Sequence, residues 1–123
     1  MVTSSNIEGM LIPHCFSKIG DMDSALFLDR IKRTVHGFDK AAQVILFGSR
    51  ARGDAKDVSD WDFLILLNGR VNEEIKANIR NKLLETEIEN EQVISTIIYS
   101  KENWQNLSIT PLFKNIDKEG ILV

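Results

Sequence analysis

A chain of 123 residues with 43% hydrophobic content has material for one modest core, so a single domain is expected and a second is not. The formal net charge of −3, with basic residues scattered apart from Lys32-Arg33 and a later arginine pair, argues against nucleic-acid binding, which needs clustered positive charge. Cys15 is the single cysteine, so an internal disulfide is excluded, no Cys/His spacing suits zinc, and a reducing cytoplasm is the expected compartment.

Residues 1–22 carry Pro13 and two glycines and read as an N-terminal extension, with 23–123 as the domain proper. Met10-Leu11-Ile12 is far too short for a signal or a membrane span, so no membrane association is expected. From Asp23, a plausible cap, Leu26, Phe27, Ile31, Val35 and Phe38 recur at helical spacing and predict an amphipathic helix that Gly37 ends. His14 and His36 stand alone in sequence and read as structural or exposed rather than catalytic.

Val44-Ile45-Leu46-Phe47 is a short apolar run, β-branched at its first two residues, that Gly48 stops, the pattern of a buried strand entering a turn of unusual backbone angles or close ligand approach. Ser49 sits where a helix would begin and is expected to cap it. The free amides of such a first turn, together with the helix dipole, suit an anion. Arg50 and Arg52 add guanidinium groups that bind phosphate oxygens in a planar, bidentate way, and Gly53 lets the chain leave the turn.

Asp60-Trp61-Asp62 begins a second apolar run that continues to Leu67. In a strand, side chains alternate faces, so Asp60 and Asp62 point the same way with Cα atoms roughly 6–7 Å apart, close enough for their oxygens to meet on one cation. Leu64 and Leu66 continue that face, and Trp61, Phe63, Ile65 and Leu67 make the other, as in a central strand covered on both sides. Two carboxylates at the rim of such a strand need a counter-charge, either a divalent metal or the nearby arginines. Plain salt bridges to Arg50 and Arg52 would explain the charges but not the glycine-serine turn.

Asn68-Gly69 is a turn signal, and Asn72 caps a second helix through about Asn90 with Ile75, Ile79, Leu83 and Ile88 near one face. Val93 to Tyr99 is rich in β-branched residues and predicts a third strand, followed by a short helix around Lys101 to Gln105 in which Trp104 is expected to pack on the core or, as the alternative, to serve an interface. Pro111 to Val123 has the makings of one helical turn and a final strand. Helices alternating with strands make the fold class α/β, a small mixed β-sheet with helices packed on it.

The stretch Val44 to Leu67, about a fifth of the chain, resembles the signature of the DNA polymerase beta-type nucleotidyltransferase superfamily: an apolar strand, Gly-Ser, a short Arg-Gly turn and an Asp-x-Asp strand. It is most similar to the minimal nucleotidyltransferase group, small proteins many of which are paired with a HEPN-domain partner in toxin–antitoxin modules. Tyr99 to Trp104 and Thr110 to Ile116 also look like the tails of stand-alone members. The resemblance implies a nucleotidyltransferase fold in which Gly48 and Ser49 hold a nucleoside triphosphate such as ATP, Arg50 and Arg52 lie near its phosphates, and Asp60 and Asp62 are the catalytic, metal-binding pair for two Mg²⁺ ions.

The superfamily also leads one to expect a third carboxylate on a neighbouring strand. Gln92 to Tyr99 contains no acid, and Ser95 aligns with the missing one; Glu89 and Glu91 precede that strand and read as exposed charges at a helix end. Two carboxylates and triphosphate oxygens still suffice for Mg²⁺, which keeps several waters. Two functions follow as expectations: transfer of AMP to a hydroxyl, with a HEPN toxin as one acceptor, or a non-catalytic module that neutralises its partner by contact. An antibiotic-modifying enzyme would need a further drug-binding domain, for which this chain has little room. A homo-oligomer is compatible with the sequence but not marked in it.

Overall fold

The computed structural model describes residues 22–55 and 59–123, with side chains from Ser24 onward, so the extension expected over 1–22 lies, Met22 aside, outside the described residues. The elements are α1 (Met22–His36), β1 (Gln43–Phe47), α2 (Ser49–Arg52), β2 (Trp61–Leu67), α3 (Glu73–Asn90), β3 (Ile94–Ser100), α4 (Lys101–Gln105), α5 (Pro111–Glu119) and β4 (Ile121–Leu122). They form an α/β fold around a four-stranded mixed sheet of order β3-β2-β1-β4.

β1 and β2 pair antiparallel, with Phe47 opposite Asp62 and Ile45 opposite Leu64. β3 runs parallel to β2, with Asp62 opposite Ser95, and a parallel neighbour needs a crossover, which α3 supplies. β4 closes the other edge of β1, pairing Ile121 with Leu46 and Leu122 with Ile45.

The alternation of β2 divides the core in two, as its sequence implied. Trp61, Phe63, Ile65 and Leu67 face α1 and α3 and bury against Phe27, Ile31, Val35, Ile79 and Leu83. Leu64 and Leu66 face the opposite way, onto Trp104 and Ile116 of α4 and α5. Trp104 stacks on Phe113 with ring centroids 5.0 Å apart and tilts against Tyr99 at 5.7 Å. Sealing β2 on both faces contributes about 1.5–3 kcal/mol for each fully buried large side chain.

Several helical positions differ from their expected burial. Leu26, expected on the core face of α1, is 61% exposed while Leu28 is buried instead, and Phe38, expected to continue that face, lies beyond the helix end and is 44% exposed. In α3, Ile88 is 70% exposed while Thr86 is buried. At 3.6 residues per turn a position five beyond Leu83 lies about 140° around the helix, whereas the position three beyond it stays near the seam. The Asn72 cap is present, its Oδ1 accepting from the Ile75 amide at 2.8 Å.

β3 begins at Ile94 rather than Val93, and its last residue, Ser100, caps α4 by accepting from the Asn103 amide. α5 runs for nine residues where one turn was expected, because Thr110 caps it and Pro111 occupies a first-turn position that needs no amide. His36 is structural, its Nε2 lying 3.0 Å from the Ala42 carbonyl oxygen. Among the described residues, no helix is long and apolar enough to cross a membrane.

Candidate active site

The register of the β1–β2 hairpin creates the site. Because Phe47 opposes Asp62, the next residue of the chain, Gly48, is pressed against that carboxylate. Gly48 has φ 78° and ψ −159°, a combination open essentially to glycine alone. A Cβ there would overlap Asp62 Oδ2 and lie 3.3 Å from its Cγ. The glycine therefore serves two needs at once, the turn and the close approach.

α2 follows at once as a single turn. Its N-cap is Gly48, and Ser49 is its first residue, so the expected serine cap is not made: no side-chain capping bond is present. The helix ends at Gly53, whose amide donates to the Ser49 carbonyl in a left-handed conformation.

The two arginines diverge. The Arg52 guanidinium bonds Asp54 through Nε at 3.3 Å and Glu119 through Nη1 at 3.3 Å, and its charge favours the ionised form of Asp62. Arg50 lies with its guanidinium carbon 4.5 Å from the Trp61 ring centroid and donates to the Ser59 carbonyl through Nη2 at 2.9 Å. Trp61 and Asp62 point to opposite faces of β2, so Arg50 braces the approach to the strand from the Trp61 side while Arg52 sits on the acid side.

Asp60 is exposed and precedes β2, whose ladder with the β3 side opens where the Trp61 amide donates to the Val93 carbonyl at 2.9 Å. Partial burial pushes the Asp62 carboxyl above the ordinary aspartate range, the charges of Asp60 and Glu119 add to the rise, and Arg52 opposes it. Neither Asp60 nor Asp62 takes part in a salt bridge with a described residue, so the simple ion-pair reading of these acids lacks its pairs.

Glu119 is the participant that no local pattern announces. It stands at the end of α5, 71 residues after Gly48, and its Oε2 accepts from the Gly48 amide at 2.7 Å. Only the path of α5 across the second face of the sheet brings it here, and no spacing in the sequence encodes that path. Ser95, exposed on β3, lies opposite Asp62 where a third carboxylate was sought. Glu89 pairs with Arg30 and Glu91 ends α3 in a left-handed conformation, both exposed as expected.

Among the described residues, Asp60 and Glu119 act on Asp62 as like charges and Arg52 as the opposing one, so their balance is acidic. Carboxylate oxygens in surplus, one with its proton affinity raised by partial burial and by neighbouring charge, suit a hard divalent cation such as Mg²⁺. Among the described residues, no group of three or more His, Cys, Asp or Glu side chains is arranged to hold a metal ion. With Glu119 engaged by the Gly48 amide and Arg52, Asp60 and Asp62 are the acids that would contribute ligands, the rest of the cation's shell coming from water and a bound phosphate.

The arrangement is an α/β domain in which a glycine turn is pressed onto a strand-borne acid at one end of a small mixed sheet. The family model described as Polymerase beta, Nucleotidyltransferase matches residues 29–123, and the chain belongs to that family. Its membership carries a nucleotidyltransferase-type function in general terms. No curated protein matches the chain.

Proposed function

We propose that the protein transfers a nucleoside monophosphate, AMP from ATP, to a hydroxyl acceptor with release of pyrophosphate. The observation that supports this reading is the contact of Gly48 with Asp62, which would bring a phosphate bound at the turn beside a cation bound by the acids. Asp60 and Asp62 would hold Mg²⁺, two ions when nucleotide is bound, and these would supply charge stabilisation at the reacting phosphate.

The chain's own residues do the positioning. The Gly48-Ser49 turn and Arg52 bind the triphosphate, and Arg50 flanks the turn while holding Ser59 and, through it, the approach to the acid pair. The acceptor oxygen bonds to the α-phosphorus as the bond to the bridging oxygen of the departing pyrophosphate breaks, and the hydroxyl proton leaves to solvent. Fixed groups that need no reorganisation lower the barrier by alignment and electrostatics.

By its resemblance to the minimal nucleotidyltransferases, the acceptor is a side-chain hydroxyl of a HEPN-domain partner in a toxin–antitoxin pair in the cytoplasm. Incubation with labelled ATP, Mg²⁺ and the product of the neighbouring gene tests this. Label on the partner is expected, and Asp60→Asn should reduce it by at least about a hundredfold while leaving the fold intact. Labelling that persists in that variant would rule out the metal role.

A second reading is favoured by Ser95, which stands opposite Asp62 where a third carboxylate would complete the site. On that reading the domain binds its partner without transfer, and the same incubation yields a complex with no label.

A further inference from the structure

Glu119 occupies the donors that a phosphate would use. Its carboxylate accepts from the Gly48 amide at 2.7 Å and from Arg52 Nη1 at 3.3 and 3.4 Å. The backbone delivers it there firmly. Gly120 lies so close to β1 that a Cβ would come 2.7 Å from Ile45 Cγ2 and 2.6 Å from the Ile116 carbonyl oxygen, and the Gly120 amide donates to that same carbonyl. The pairing of β4 with β1 and a bond from the Val123 amide to the Val44 carbonyl at 2.8 Å hold the segment down.

This placement does not serve to neutralise the acid pair. Glu119 adds a third negative charge to the surroundings of Asp62 and helps push that carboxyl toward its protonated form. What the carboxylate gains is the two donors. We infer that Glu119 is an internal stand-in for a ligand phosphate: it keeps the Gly48 amide and Arg52 satisfied in the free protein and is displaced when a polyphosphate enters with its divalent cation. The inference rests on the nucleotide-binding reading above.

The exchange has a direct electrostatic logic. A half-buried donor left without a partner costs stability, so a resident anion keeps the turn in its binding conformation. Its side chain is 24% exposed at a helix end and has solvent to swing into. Among the described residues, a bare polyphosphate would meet Asp60, Asp62 and Glu119 with Arg52 to offset them, whereas the metal complex brings its own compensating charge. Glu119 therefore lowers affinity and makes binding depend on the cation.

Calorimetric titration of the full chain and of Glu119→Gln with Mg–ATP and with Mg–tripolyphosphate tests this. The glutamine can still accept from the Gly48 amide but carries no charge, and the dissociation constants are expected to fall about five- to tenfold, the difference between a charged and a neutral hydrogen-bond acceptor. Glu119→Asp, which withdraws the carboxylate by one methylene, should move them the same way. In wild-type protein, the Gly48 amide resonance should shift on addition of Mg–tripolyphosphate in the direction that Glu119→Gln shifts it in the free protein. Wild-type binding with unchanged or weaker affinity in the variants would overturn the stand-in role and leave the nucleotide reading intact. Binding by none of the proteins would overturn both.

Discussion

Replacing Gly48 with alanine tests the contact on which the site depends. The backbone conformation at φ 78° and ψ −159° costs a non-glycine residue about 1–3 kcal/mol. The new methyl group must also displace the Asp62 carboxylate, at a further 1–2 kcal/mol or so for a forced side-chain or backbone shift. A total loss of roughly 2–5 kcal/mol is a large share of a small domain's stability and corresponds to a fall in Tm of about 10–30 °C. Urea and thermal unfolding of Gly48→Ala measure this directly. In an Asp62→Ala background the overlapping oxygen is gone, so the same substitution should cost about 1–2 kcal/mol less. A cost below about 0.5 kcal/mol, or an identical cost in both backgrounds, would refute the proposed apposition of turn and acid.

Asp62→Asn should raise Tm at pH 7. The carboxyl titrates above its unfolded value, so between the two values the folded state holds the additional proton and stability falls as pH rises; at neutral pH the group is a liability. The advantage of the variant should shrink as pH is lowered through that window, and a pH-independent difference would show that burial and neighbouring charge do not govern this group. Ser95→Asp, placed opposite Asp62 at a parallel-strand spacing of about 4.8 Å, should lower Tm without metal and restore it with Mg²⁺. It should also tighten Mg²⁺ binding in the presence of ATP by about fivefold or more, read by calorimetry; equal affinity would count against the donor set described.

The strands and the acid-bearing turn were readable because their signals are local. Alternation along Trp61 to Leu67 gave both faces of β2, and glycine at position 48 marked a conformation that other residues resist. Helix faces were less legible. The charged residues of α3 leave its apolar stripe short, so Ile88 looked continuous with a seam that Thr86 in fact extends. Arginines 50 and 52 are two residues apart on one short turn, and nothing in their spacing says that one lies over Trp61 while the other meets Glu119. Glu119 itself was invisible, because its role arises from a tertiary path rather than a motif.

The order β3-β2-β1-β4 also has a consequence for synthesis of the protein on the ribosome. Among the described strands, one rim of β1 has no partner until residues 121–122 emerge and dock on it, although the hairpin and its turn can already form. During that interval the nascent sheet presents an open apolar edge to other chains. Docking of residues 121–122 also brings the α5 terminus onto the turn, so until that pairing forms the glycine bend lacks the Glu119 carboxylate that covers it in the folded domain.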